Sequence, residues 1–251
     1  MDSMNRATPS TKLFFGLLVF DAILAAIAAF LPQGFPEGMP ESTLPILQVA
    51  LISSASILIF YGGLGWVGLR LTRKLGYPDL LDTRVTNRQR FLTPMIVGLW
   101  MGLLFIVADN LFSRFHSYGT LPHPAFPLSI VASLTAGIGE EIMFRLFFIP
   151  VLVWLISRVV LKGGQERVTF WNAAIFSGMF FAAGHLPSLM MMLGAQTLAD
   201  IPPAMMAEVF LLNGALSLVA AYFLRKSGYL AAVTVHTSTD IVWHVIWGLV
   251  R

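Results

Sequence analysis

Apolar runs of about twenty residues, separated by short polar or basic turns, follow one another along almost the whole chain. Each run is long enough for an α-helix to cross a bilayer core of roughly 30 Å at about 1.5 Å per residue. The runs cover about 13–32, 46–71, 92–112, 128–161, 170–198, 203–224 and 229–250. The fourth is too long for one straight span. It crosses once with an extension beyond the membrane, or it is divided at Pro150 into two short spans. The expected fold is therefore all-α: a polytopic transmembrane bundle of seven or eight spans, forming a single transmembrane domain over residues 1–251. No repeat, low-complexity stretch or soluble module interrupts it.

Composition agrees with that reading. Hydrophobic residues make up 57% of the chain, charged residues only 12%, and the mean hydropathy is +0.77, where a soluble domain carries about 25% charged residues. The net charge of +3 and the pI near 9.4 do not indicate a nucleic-acid partner, because the bases gather at helix ends. Arg70, Arg73, Lys74, Arg84, Arg88 and Arg90 outnumber Asp79 and Asp82 in one connection, whereas the Pro- and Gly-rich loop 33–43 holds Glu37 and Glu41 and no base. This asymmetry predicts a cytoplasmic N-terminus and basic loop in a multi-pass protein of the cell membrane, with the bilayer itself as the first partner. The absence of cysteine excludes disulfides, thiolate metal sites and a cysteine nucleophile. The first span is too long for a typical signal-peptide core and reads as a retained helix.

Polar residues inside these runs need a reason, since a charge at mid-membrane costs about 2.5–3.5 kcal/mol. The sequence Glu140-Glu141-Ile142-Met143-Phe144-Arg145 places Glu141 and Arg145 at i,i+4, acid first, the favourable order for a pair. Glu140 is turned about 100° away and has no partner in its own helix. His185 lies one turn after Phe181. In the last run His236, Asp240 and His244 form a ladder on one face, beside Trp243, Trp247, Thr237 and Thr239. Each feature alone has a structural reading: a buried ion pair, a satisfied core histidine, interhelical hydrogen-bond glue. Their similar depth points instead to one polar centre built from Glu140, His185, His236 and Asp240, with Glu141 and Arg145 in support. The same four residues form a plausible divalent-metal set, zinc foremost, and a metal-free glutamate mechanism is the alternative. Asp21, Glu208 and Asn213 are further intramembrane polar positions, and Asp21 is expected to face the bundle. His116 and His123, in the loop before residue 128, read as surface histidines.

The three clusters, Glu140-Glu141-x-x-x-Arg145, Phe181-x-x-x-His185 and His236-x-x-x-Asp240, resemble in order the motifs of the CPBP family, the type II CAAX prenyl endopeptidases and related bacteriocin-processing membrane proteins. Asn213-Gly214-Ala215-Leu216 and Gly228-Tyr229-Leu230 resemble the stretch before its last motif. The resemblance spans about 128–250, read as the motif-bearing catalytic core. It implies a helical bundle enclosing a membrane-embedded cavity, in which Glu140, His185 and His236 activate water for peptide hydrolysis. Position 240 is Asn in many members and Asp here. The implied substrate is a membrane-associated peptide or protein, of CAAX type or a leader or bacteriocin precursor. Neither G-x-S-x-G nor H-E-x-x-H occurs, against a serine nucleophile and a zincin helix. A non-catalytic scaffold or immunity protein and an ion-coupled transporter are the alternatives in other classes; a transporter would show two related halves, which this chain does not.

Overall fold

The computed structural model describes residues 8–33 and 43–250; Glu37 and Glu41 lie outside the described residues. The described chain is helical throughout. Helix α1 spans Pro9–Ala28, α2 Ile46–Leu75, α3 Arg88–Phe115 and α4 Leu128–Val160. Helix α5, Glu166–Gly184, is followed after His185 by the short α6, Leu186–Leu193. Helix α7 is Pro203–Ser227, and α8 runs over 229–250. Six stretches are long and apolar enough to cross a membrane: α1, α2, α3, α4, α5 with α6, and α7. Helix α8, interrupted by His236, Asp240 and His244, is the seventh long helix and the most polar in its centre.

The fourth run is not divided. Helix α4 continues through Pro150 for 33 residues, about 50 Å of rise. Pro150 sits where π-helical Ile142–Phe148 gives way to α-helical Ile149–Val153, and the widened turn accommodates the missing donor. Seven long helices, not eight, are therefore formed among the described residues.

Local chemistry sets the helix ends. Thr8 caps α1 by accepting from Thr11 N–H at 3.2 Å, with Pro9 in the first turn. Helix α2 closes on basic residues and Gly76 in the left-handed region, φ 78°. Between α7 and α8, Gly228 adopts φ 86° and packs so closely on Pro78 O that a Cβ would sit 2.8 Å from it.

The basic turns meet at one end of the bundle. Arg73 pairs with Asp79 at 2.9 Å and donates to Thr11 Oγ1 at 2.9 Å. Arg158 pairs with Glu166 at 2.8 Å, and Arg225 lies over the Phe170 ring at 4.7 Å. Each exposed pair contributes little stability, but together they fix which turns are neighbours.

Helix α8 is clamped between α3 and α4. Gly98 and Gly102 of α3 lie against the carbonyl oxygens of Val235 and Thr239, and Gly137 of α4 lies against the Thr237 side chain. A Cβ at any of these would overlap its neighbour, so missing side chains let the helix backbones approach as small-residue packing in membranes does. The outward faces are apolar, with Ile59, Trp100, Leu104 and Val107 among the most exposed side chains, as a lipid-facing surface requires. Asp21 is fully buried in the bundle.

Because α3 and α4 each cross once, loops 76–87 and 161–165 share one face. Single cysteines at Asn87 and Gly164, in a chain with no native cysteine, are expected to label from the same side in vesicles, and Ser117 from the other. Labelling of Asn87 and Gly164 from opposite sides would contradict the single crossing of α4.

Candidate active site

A cavity of about 340 Å³ opens among α3, α4, the His185 break, α6, α7 and α8. Its walls are mostly apolar and aromatic, including Phe105, Leu121, Leu189, Leu212 and Trp243, and Glu140, His185, His236 and Asp240 all line it. An apolar cavity with a few convergent polar groups is the usual form of a binding or active site. The four residues expected from sequence therefore share one space, although they come from three separate helical segments.

The carboxylates of α4 have different surroundings. Glu141 and Arg145 are both fully buried and pair at 3.3 Å, as their i,i+4 spacing predicts. Arg145 also lies 4.4 Å over the Phe181 ring, a cation–π contact worth more where water is absent. Glu140 turns its side chain, 29% exposed, into the cavity, so it is the carboxylate that meets whatever enters.

The sequence did not indicate that Glu141 has a second partner. Its Oε1 accepts from His236 Nδ1 at 2.8 Å, tying α4 to α8. A carboxylate only accepts, so Nδ1 carries the proton and Nε2 faces the other way. Nε2 stands 3.3 Å from Asp240 Oδ2 and 3.8 Å from Glu140 Oε2. His236 thus lies within 4 Å of three carboxylates and is itself almost wholly buried. Orientation of this ring is shared between Glu141 and Asp240.

His185 sits at the break between α5 and α6, where Pro187 follows. Its Nδ1 lies 2.8 Å from Phe181 O; a carbonyl accepts, so Nδ1–H donates. Phe181 joins the cluster mechanically. Its ring meets His185 and His236 edge-on at 4.9 and 5.7 Å and supports Arg145 on its face. The i,i+4 step from Phe181 to His185 was the only sign of this in the sequence.

Among the described residues no group of three His, Asp or Glu side chains is arranged to hold a metal ion. Glu140 and Asp240 both approach His236 Nε2, at 3.8 and 3.3 Å, and His185 lines the same cavity. His123 is not simply a surface residue. It turns inward, with Nδ1 3.0 Å from His244 Nδ1 and its ring 4.7 Å from Trp243. His244 leaves the His236–Asp240 pair and serves this second contact.

Residues 122–242 match the family described as Type II CAAX prenyl endopeptidase Rce1-like. Over those residues the chain is similar to the CPBP-type intramembrane proteases. No curated protein and no solved structure matches it. The family match begins in the loop before α4 and ends in α8, and so takes in Glu140, His185, His236 and Asp240. A protease of this class acts on a protein or peptide at the bilayer, and an apolar cavity with one accessible glutamate suits that setting.

Arg145→Ala is expected to destabilise the protease by about 3–5 kcal/mol, because it leaves Glu141 buried beside His236 without its cation. Thermal unfolding in detergent measures this. A variant as stable as wild type would show that the His236 contact alone satisfies Glu141.

Proposed function

We propose that this protease hydrolyses its substrate with a water activated by Glu140, without a metal, in a catalytic core formed by residues 128–250. The observation that carries this reading is the division of labour between adjacent glutamates: Glu141 is sealed between Arg145 and His236, while Glu140 opens onto the cavity. Glu140 takes a proton from water as the oxygen attacks the peptide carbonyl, and returns it to the departing amine. His185, through its Nε2 lone pair, accepts a hydrogen bond from the same water and fixes its direction. His236 and Asp240 hold the charge balance around Glu140. Glu141 and Arg145 position His236 and do not meet substrate.

The cavity wall favours apolar residues around the scissile bond. The substrate class is a membrane-associated peptide or protein of CAAX or leader type, delivered from the bilayer. The basic end of the bundle faces the cytoplasm of a cell membrane, by the excess of Lys and Arg in its turns.

In proteoliposomes, wild type is expected to cleave a farnesylated CAAX peptide or its unprenylated twin, and Glu140→Gln to lose at least 10³-fold in kcat with an unchanged melting temperature. Cleavage of neither peptide by wild type, or an active Glu140→Gln, would refute the assignment.

The metal question has its own measurement. Elemental analysis is expected to find less than stoichiometric metal in the purified protein, with activity retained after chelation. Asp240→Asn is expected to shift the pH profile without changing metal content. Stoichiometric metal lost together with activity on chelation would overturn the metal-free mechanism.

A further inference from the structure

Water addition to a peptide carbonyl drives the π electrons onto oxygen, and one fixed hydrogen-bond donor to that oxygen is worth about 10²–10³-fold in kcat. The cavity is poor in such donors. Glu140 and Asp240, as carboxylates, only accept. His236 gives Nδ1–H to Glu141 and turns Nε2 towards Asp240 and Glu140. His185 spends its proton on Phe181 O, and the Nδ1 atoms of His123 and His244 face each other. Arg145 is fully buried and does not line the cavity.

Besides His244, whose Nδ1 meets His123, three lining side chains carry an N–H or O–H: Ser188, Trp243 and Asn213. Ser188 is exposed on the short α6, where its hydroxyl is free to rotate. The Trp243 ring is packed edge-on to Phe105 and His123, at 6.0 and 4.7 Å, and its direction is set by that packing. Asn213 differs from both. It is half-buried on α7 among Val209, Leu212 and Leu216 of the same wall. One N–H of its Nδ2 donates to Val209 O at 2.9 Å, one turn back. That bond holds the amide in one orientation and leaves the second N–H of the same nitrogen with no partner among the described residues.

We propose that Asn213 is the oxyanion donor of this protease, a catalytic role additional to Glu140, His185, His236 and Asp240. The inference rests on the hydrolytic reading above. In the step it serves, Glu140 removes one proton from water and the hydroxide oxygen bonds the carbonyl carbon. The π pair moves to the carbonyl oxygen, where the second Asn213 N–H meets it. The pair then returns, the C–N bond breaks, and the amine takes the proton held by Glu140. Asp240, a carboxylate, has no N–H to offer that oxygen.

The test compares Asn213→Leu, similar in shape but without a donor, with Ser188→Ala and Trp243→Phe on the peptide that wild type cleaves. Asn213→Leu is expected to lower kcat by 10²–10³-fold, with KM and melting temperature within error of wild type. In the other two variants any change is expected in KM, with affinity for a tetrahedral analogue lowered no more than affinity for the uncleaved peptide. A phosphinate analogue of the same peptide, tetrahedral at the reacting centre, should bind Asn213→Leu at least tenfold more weakly. The uncleaved peptide should bind Glu140→Gln equally well with or without Asn213→Leu. Unchanged kcat and phosphinate affinity in Asn213→Leu, or the kcat loss appearing in Ser188→Ala or Trp243→Phe instead, would overturn the proposal while the Glu140 assignment stood. An active Glu140→Gln would remove both.

Discussion

The hydrogen bond from His236 to Glu141 is the contact on which the site depends. It joins α8 to α4 at 2.8 Å, fixes the proton on Nδ1, and so decides that Nε2 faces Asp240 and Glu140. A hydrogen bond to a charged group ordinarily contributes about 1.5–3 kcal/mol to a folded protein. Here both partners are buried, and losing either leaves a charge or a polar ring without hydration, which is far more costly. Arg145 and Phe181 complete the seal behind Glu141. The chain tolerates this concentration of charge because each member is the remedy for another's desolvation.

That bond is possible only because α8 lies close to its neighbours. Gly98, Gly102 and Gly137 remove the side chains that would hold the backbones apart. The polar helix is thereby surrounded by other helices and kept from lipid, where its unpaired groups would have no remedy. Close packing and polar chemistry thus support each other. The glycines admit the helix, and the ion and hydrogen-bond network fixes its rotation.

The cavity follows from where that packing stops. Helix α5 ends at Gly184, α6 turns away after His185, and loop residues such as Leu121 and Pro124 close the other side. Leu121 N–H donates to the buried Asp109 at 2.8 Å, which ties the loop to α3. Glu140, partly exposed, stands at the edge of this apolar wall.

Spans, helix directions and the i,i+4 pairs Glu141–Arg145 and His236–Asp240 were legible in the sequence, because they depend on hydrophobic run length and the 3.6-residue period alone. The order of the three motifs pointed to the family. Continuity of α4 through Pro150 was not legible, since whether a proline divides a helix depends on how adjacent turns and neighbours take up the lost hydrogen bond. Nor was the Glu141–His236 bond, the pairing of His123 with His244, or the presence of Asn213 on the cavity wall. Each joins residues from segments far apart in the chain, and which side chains meet there depends on crossing angle and rotation. Periodicity determined which face of a helix is polar; only the packing of one helix against another decided what that face touches.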